Sequence, residues 1–116
     1  MNKILIVILA GRETHEGMGR LTNALVLAKE MKEFGYKVKV IFDGAGTEWI
    51  SEITNKESKF FQLYNEVKNV IAGACGFCAA AFNVENEIST LKVLHEHMGH
   101  PSFKKFICIM KNNNSN

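Results

Sequence analysis

The stretch GACGFCAAAF, residues 73–82, directly follows a run at 67–72 in which four of the six residues are apolar. The run predicts a β-strand, and the small residues after it predict a tight turn leading into a helix. Cys75 then lies between strand and helix, near unpaired backbone N–H groups and the positive end of the helix dipole. Both effects favour thiolate over thiol. Cys78 shares the same helix face, so Cys75 and Cys78 are the candidate catalytic residues.

The chain before this stretch alternates between strand-like and helix-like segments. Residues 4–9 are continuously apolar, which is typical of a strand buried on both faces of a parallel sheet. The predicted elements are strands at 4–9, 36–42 and 67–72, and helices at 20–34, around Trp49 and at 58–66. This β-α-β-α-β order predicts parallel strands with right-handed crossovers.

The chain after this stretch is expected to be mainly helical. Residues 83–87 form a predicted turn, residues 88–98 a helix, and Pro101 is suited to open another helical turn. The segment 103–110 fits both a helix and a strand. We expect one α/β domain at 1–111 and a disordered polar tail at 112–116.

Composition narrows the class of protein. The 116 residues are 47% hydrophobic, which suits one domain with a real core. A net charge of +2 without a basic patch argues against nucleic acid as a partner. Three cysteines, an odd number, favour free thiols in a reducing compartment, and so a cytoplasmic location. No apolar run approaches the ~18 residues of a membrane span, and the apolar N-terminus is interpreted as a strand, not a signal peptide.

The C-x-x-C pair has several interpretations. Cys75 and Cys78 could perform nucleophilic or redox chemistry, supply half of a zinc site, or simply pack a helix against the sheet. His97 and His100 could complete a metal site, but a solvated helix end is the favoured interpretation for them because no H-E-x-x-H spacing is present. Cys108 lies in an apolar run and is expected to be a core cysteine.

Two loops are predicted at the carboxyl ends of the strands. The glycine-rich loop 11–19 precedes a helix but lacks a phosphate-binding motif, so it is a flexible crossover or the rim of a site. The second loop, at 43–46, ends the second strand, and its Asp43 could face the same crevice or cap a turn. Thr47 is the expected cap of the short helix that contains Trp49.

Three motifs together resemble the DsrE/DsrF-like family, which includes YchN-type and TusD-like sulfur-relay proteins. The motifs are the opening strand with GRLTNA at 19–24, VKVIFDG at 38–44, and ACGFCA at 74–79 with Asn83-Val84 after it. The resemblance covers residues 3 to about 105. It implies a three-layer, flavodoxin-like or YchN-like domain with a mainly parallel sheet of four to five strands. It also implies a homo-oligomer, a trimer or hexamer.

The chain departs from the family pattern at two places. Asn83 stands where glycine is common, although asparagine tolerates the left-handed conformation. The polar tail follows residues 103–110 at once, where family members continue into a final strand, so we expect that strand to be missing, shortened or replaced at the edge of the sheet.

The resemblance implies that a cysteine at the start of this helix carries a persulfide, and its spacing to 83–84 matches Cys75. We therefore expect a sulfurtransferase-like sulfur carrier that needs no cofactor or metal and exchanges sulfur with donor and acceptor proteins. Cys78 would resolve the persulfide as a disulfide or protect Cys75 from over-oxidation. The alternatives are a non-catalytic homo-oligomeric binding module with a structural or redox C-x-x-C, and a metal site formed by Cys75, Cys78 and the late histidines.

Overall fold

A computed structural model describes residues 2–82 and 103–111. The predicted turn at 83–87, the predicted helix at 88–98, Pro101, the late histidines and the tail at 112–116 lie outside the described residues.

Three parallel strands form the sheet in the described part of the chain. They are β1 (Lys3–Ile8), β2 (Lys37–Phe42) and β3 (Ile71–Ala74), in the spatial order β1-β2-β3. The strand β2 is therefore central and pairs in parallel with both neighbours, with Ile8 opposite Phe42 on one side and Ala74 opposite Phe42 on the other. The flavodoxin order differs, since there the first strand lies between the second and the third.

Helices connect and follow the strands. They are α1 (His15–Glu33), α2 (Ile50–Ile53), α3 (Phe61–Val67), α4 (Gly76–Ala81) and α5 (Phe103–Lys111), with 3-10 turns at Gly44–Trp49 and Lys68–Val70. Across residues 2–82 and 103–111, no helix is long and apolar enough to cross a membrane. The described part is thus a mixed α/β structure with a parallel sheet, as predicted.

The main core lies between one face of the sheet and α1. Val38 and Val40 alternate toward this face from β2, and they cluster with Leu21 and Leu25, which are fully buried on α1. Burying an aliphatic side chain of this size contributes about 1.5–3 kcal/mol, so this layer is the main apolar contribution to the fold.

The other face of the sheet contacts α5. Lys37 alternates away from the core of α1, and its Nζ donates to the carbonyl oxygen of Met110 at 3.4 Å. Ile41 and Phe106 are buried outside the main cluster. Lys39 is buried on this face as well, and burial, with a smaller contribution from the charge of Lys37, lowers its pKa. Helices therefore cover both faces of the described sheet.

Several predicted boundaries need correction. The loop predicted at 11–19 is shorter, because α1 begins at His15, where the Thr14 side chain accepts a hydrogen bond from the Gly17 N–H at 2.9 Å. The third strand runs from Ile71 to Ala74 and not over 67–72, since α3 and a 3-10 turn occupy residues 61–70. The segment 103–110 is helical.

The predicted cap and loop after β2 also differ from the structure. The predicted loop at 43–46 is mostly the start of the 3-10 turn Gly44–Trp49, and its cap is Asp43. Thr47 lies inside this turn, where its hydroxyl donates to the carbonyl oxygen of Gly44 at 2.9 Å.

The 3-10 turn approaches β1 so closely that Gly46 has no room for a side chain. A Cβ at Gly46 would collide with the carbonyl oxygen of Ile8, which belongs to the backbone and cannot rotate away as a side chain can. We expect Gly46→Ala to lower the free energy of unfolding by about 1–3 kcal/mol, measured by urea denaturation. Gly19→Ala is the control: a Cβ there meets nothing within 4 Å, and the change should stabilise α1 by about 0.5–1 kcal/mol. Equal effects of the two substitutions would contradict this packing argument.

Candidate functional site

The pairing of β2 with β3 brings the site residues together. The register changes by one residue between Val40 and Ile41, since Val40 lies opposite Ile71 while Ile41 lies opposite Gly73. This β-bulge moves the end of β3 by one residue, so that the next residues along, Asp43 and Cys75, leave the sheet side by side. The Cys75 N–H donates to the carbonyl oxygen of Phe42 at 3.0 Å.

Cys75 connects β3 to α4, as the sequence predicted. It is the N-cap of α4, with an extended backbone, and its carbonyl oxygen accepts the N–H of Ala79 at 3.0 Å. Its Sγ accepts the backbone N–H of Cys78 at 3.4 Å, which is the usual role of a capping side chain. The side chain is fully buried. The Cys75 sulfur is thus held in one place and faces an N–H donor.

Cys78 lies in the first turn of α4, next to Asp43. Its Sγ donates to Oδ1 of Asp43 at 3.1 Å, and its side chain is buried. Burial raises the pKa of the Cys78 thiol to about 12, and the hydrogen bond and negative charge of Asp43 act in the same direction. Because a carboxylate accepts the thiol proton, Cys78 stays a neutral thiol at physiological pH.

Asp43 caps a turn and also faces the two cysteines at the end of the sheet. Its carboxylate caps the 3-10 turn by accepting the Gly44 N–H at 2.9 Å, and the same oxygen accepts the thiol of Cys78. The residue is only 1% exposed, so these hydrogen bonds replace contacts with water. Its carboxylate oxygen and the sulfurs of Cys75 and Cys78 all lie within 4.8 Å of one another.

The sequence pointed to Cys75 and Cys78 but did not reveal the contact between Asp43 and Cys78. The only available indication was that Asp43 and Cys75 each follow a predicted strand, and parallel strands end at the same sheet edge. Cys108 is exposed, not a core cysteine as expected. His97 and His100 lie outside the described residues, so their predicted share in a metal site stays a prediction.

The loop after β1 is fixed to the segment after β2. The Arg12 N–H donates to Oε1 of Glu48 at 3.3 Å, and the Arg12 side chain pairs with Glu52 at 3.6 Å. Trp49 Nε1 donates to the carbonyl oxygen of Ala10 at 2.9 Å. A cleft of about 230 Å³ opens here, lined by Gly11, Glu13, Thr14, Ala45, Glu48 and Phe82. Residues of the loop after β1 therefore border a cleft, although neither Cys75 nor Cys78 lines it.

The fold and the site define an α/β protein with a parallel sheet. A buried cluster of one carboxylate and two thiols lies at the edge of the sheet where the strands end. The chain is 32% identical over 88 residues to the uncharacterized protein MJ0733 of Methanocaldococcus jannaschii, a match spanning 75% of this chain and 72% of that protein. The chain belongs to the family of that protein. No family model matches the chain. No solved structure gives a significant match to it.

The contact between Asp43 and Cys78 predicts an unusual pH dependence of alkylation. In chelator-treated, reduced protein, alkylation of Cys78 should still be rising at the highest pH at which the fold is intact, since its pKa is about 12. Asp43→Asn removes the charge that disfavours the thiolate, so the midpoint for Cys78 should move down toward the ordinary value of 9.0. Peptide-resolved mass spectrometry measures both.

Exposed Cys108 is the internal control for this experiment, because its alkylation should be the same in both proteins at every pH. The quantity to compare is the pH midpoint of Cys78 alkylation and not the alkylation rate, because burial slows the reaction of Cys78 at all pH values. An unchanged Cys78 midpoint in Asp43→Asn would contradict the assigned hydrogen bond.

Proposed function

We propose that the protein carries sulfane sulfur as a persulfide on Cys75. The observation that supports this is the opposite hydrogen bonding of the two sulfurs. The sulfur of Cys75 accepts a backbone N–H, whereas Cys78 donates its own proton to Asp43. The first arrangement stabilises negative charge on sulfur and the second retains a proton, so Cys75 is the nucleophile of the pair. The resemblance to the DsrE/DsrF-like family assigns the persulfide to the same residue.

The transfer is a thiol exchange at a sulfane sulfur. The Cys75 thiolate attacks the outer sulfur of a donor R–S–SH, the S–S bond of the donor breaks, and R–S⁻ leaves with the bonding electrons. The product is Cys75–S–SH. An acceptor thiolate then attacks the same outer sulfur and releases the Cys75 thiolate. The two steps need no external oxidant or reductant.

Cys78 offers a second outcome when no acceptor arrives. Its sulfur attacks the inner sulfur of Cys75–S–SH, the S–S bond of the persulfide breaks, and the outer sulfur leaves as HS⁻, which takes up a proton to give H₂S. The Cys78 sulfur is oxidised to the Cys75–Cys78 disulfide while the departing outer sulfur is reduced. Asp43 accepts the Cys78 proton that this attack requires, since it already accepts the S–H hydrogen bond. Cys78 is therefore the resolving residue in this proposal.

Sulfur loading on Cys75 is directly measurable. Because Cys75 is fully buried, the donor for the test is small: inorganic polysulfide. On the peptide that contains positions 75 and 78, Cys78→Ser should gain one sulfur atom, reversed by dithiothreitol, and Cys75→Ser should gain none. The wild type should carry the same sulfur atom or, where Cys78 has resolved the persulfide, the Cys75–Cys78 disulfide. Serine is also a good N-cap, so Cys75→Ser should fold normally, which circular dichroism checks.

Cys108→Ser is the matched control, since it removes an exposed thiol outside the cluster and should load like the wild type. The absence of sulfur in Cys78→Ser, or its presence on the same peptide in folded Cys75→Ser, would overturn the proposal. The first outcome would favour the alternative, a non-catalytic module with a structural or redox C-x-x-C.

We also propose the finer architecture that the family resemblance implies. The domain has three layers, with four to five strands in its sheet, and it forms a homo-oligomer in the cytoplasm. Helices on both sheet faces and the parallel strands of the described part support this architecture. Light scattering coupled to size exclusion should give three or six times the chain mass of 13.0 kDa. A monomer at micromolar concentration would contradict the proposed assembly.

A further inference from the structure

We propose that Asp43, Cys75 and Cys78 bind a zinc-type divalent ion. The three ligand atoms lie within 4.8 Å of one another, and Cys78 Sγ lies 3.1 Å from Asp43 Oδ1. Zn–S bonds of about 2.3 Å in a tetrahedron place two sulfur ligands about 3.8 Å apart. Movements of about 1 Å or less therefore bring the cluster to the geometry of a metal centre.

The three ligands are positioned by separate parts of the fold. Asp43 follows β2, Cys75 follows β3, and Cys78 is one helical turn further along α4. The bulged pairing of β2 and β3 fixes the first two, so the site does not depend on a flexible loop. A site that exists before the ion arrives avoids most of the ordering cost of binding.

Backbone N–H groups orient two of the ligands. The Gly44 N–H donates to the Asp43 carboxylate at 2.9 Å, and the Cys78 N–H donates to Cys75 Sγ at 3.4 Å. Hydrogen bonds to the ligating groups fix the orientation of those groups, and they are common in protein metal sites.

The types of ligand select the class of ion. Two sulfurs and one carboxylate suit a borderline ion such as Zn²⁺, whereas Mg²⁺ and Ca²⁺ prefer oxygen alone and Cu⁺ prefers sulfur alone. Three protein ligands are also the number found in zinc sites that leave one position for water or a substrate.

The ligands compensate the charge of the ion. Thiol ligands bind a metal as thiolates and release their protons as the ion enters, so the two positive charges of the ion are balanced by the sulfurs and the carboxylate inside the buried site. Asp43 takes the place that the sequence analysis gave to the late histidines.

The test uses the full-length, reduced, metal-free protein in competition with a chromophoric zinc chelator. We expect one Zn²⁺ per chain for the wild type and for Cys108→Ser. Asp43→Asn should weaken binding by about tenfold or more, and Cys75→Ser and Cys78→Ser should weaken it further. Asparagine and serine both cap helices and turns, so the variants retain the local structure, which circular dichroism verifies.

Substitution with Co²⁺ identifies the ligands independently. A thiolate-to-metal charge-transfer band should appear in the wild type, weaken in each single cysteine variant and shift in Asp43→Asn. The absence of one-to-one binding, or an Asp43→Asn variant identical to the wild type in affinity and spectrum, would overturn the proposed ligand set.

The zinc and sulfur proposals fail separately. Sulfur loading is measured on metal-free protein, so loading without zinc binding would overturn only the metal site, and zinc binding without loading only the sulfur carrier. When both occur, one equivalent of Zn²⁺ should suppress loading in the wild type, because the ion and the persulfide use the same sulfur of Cys75. Loading that proceeds unchanged at full zinc occupancy would exclude Cys75 as a ligand.

Discussion

The bulged pairing between β2 and β3 is the constraint on which the site depends. Continued from Val40 and Ile71, a regular ladder would place Asp43 beside Ala74; the extra residue in β3 places it beside Cys75 instead. Gly73 follows the bulge with a φ of 153°, a value that favours glycine. The separation between carboxylate and thiols is therefore set by backbone pairing in the sheet, before any side chain chooses a rotamer.

The buried carboxylate explains why the cluster is arranged as it is. Removing a charged group from water costs several kcal/mol unless hydrogen bonds replace the lost hydration. The Gly44 N–H and the Cys78 thiol supply two such bonds to Asp43. The Cys78 thiol donates to Asp43, while the backbone N–H of Cys78 donates to Cys75 Sγ. One carboxylate thus makes two chemically identical cysteines unequal.

The local pattern of the sequence was sufficient to predict the first two strands and the junction between strand and helix at Cys75. The β-branched run at 4–9 and the alternation at 36–42 both correspond to strands, displaced by one residue at most at either end. The third strand was placed too early because Val67 and Val70 resemble strand residues, whereas they belong to the end of α3 and a 3-10 turn. The contact between Asp43 and Cys78 could not be predicted, because it depends on strand order and on a bulge, and both are tertiary properties. Cys108 was misplaced for a similar reason: an apolar run does not reveal which face of α5 meets the sheet.

The proposed sulfur carriage and the proposed metal binding make opposite demands on the space around Cys75. A persulfide adds one sulfur atom to a side chain that is already fully buried, so the cluster must expand or open. A bound ion draws the carboxylate and the two sulfurs together and needs the cluster to contract slightly. The sheet register limits both movements at Asp43 and Cys75, whereas Cys78 lies on α4 and takes no part in the strand pairing. It follows that a substitution on α4 that enlarges the space beside Cys78 would favour the persulfide over the ion without altering any of the three ligands.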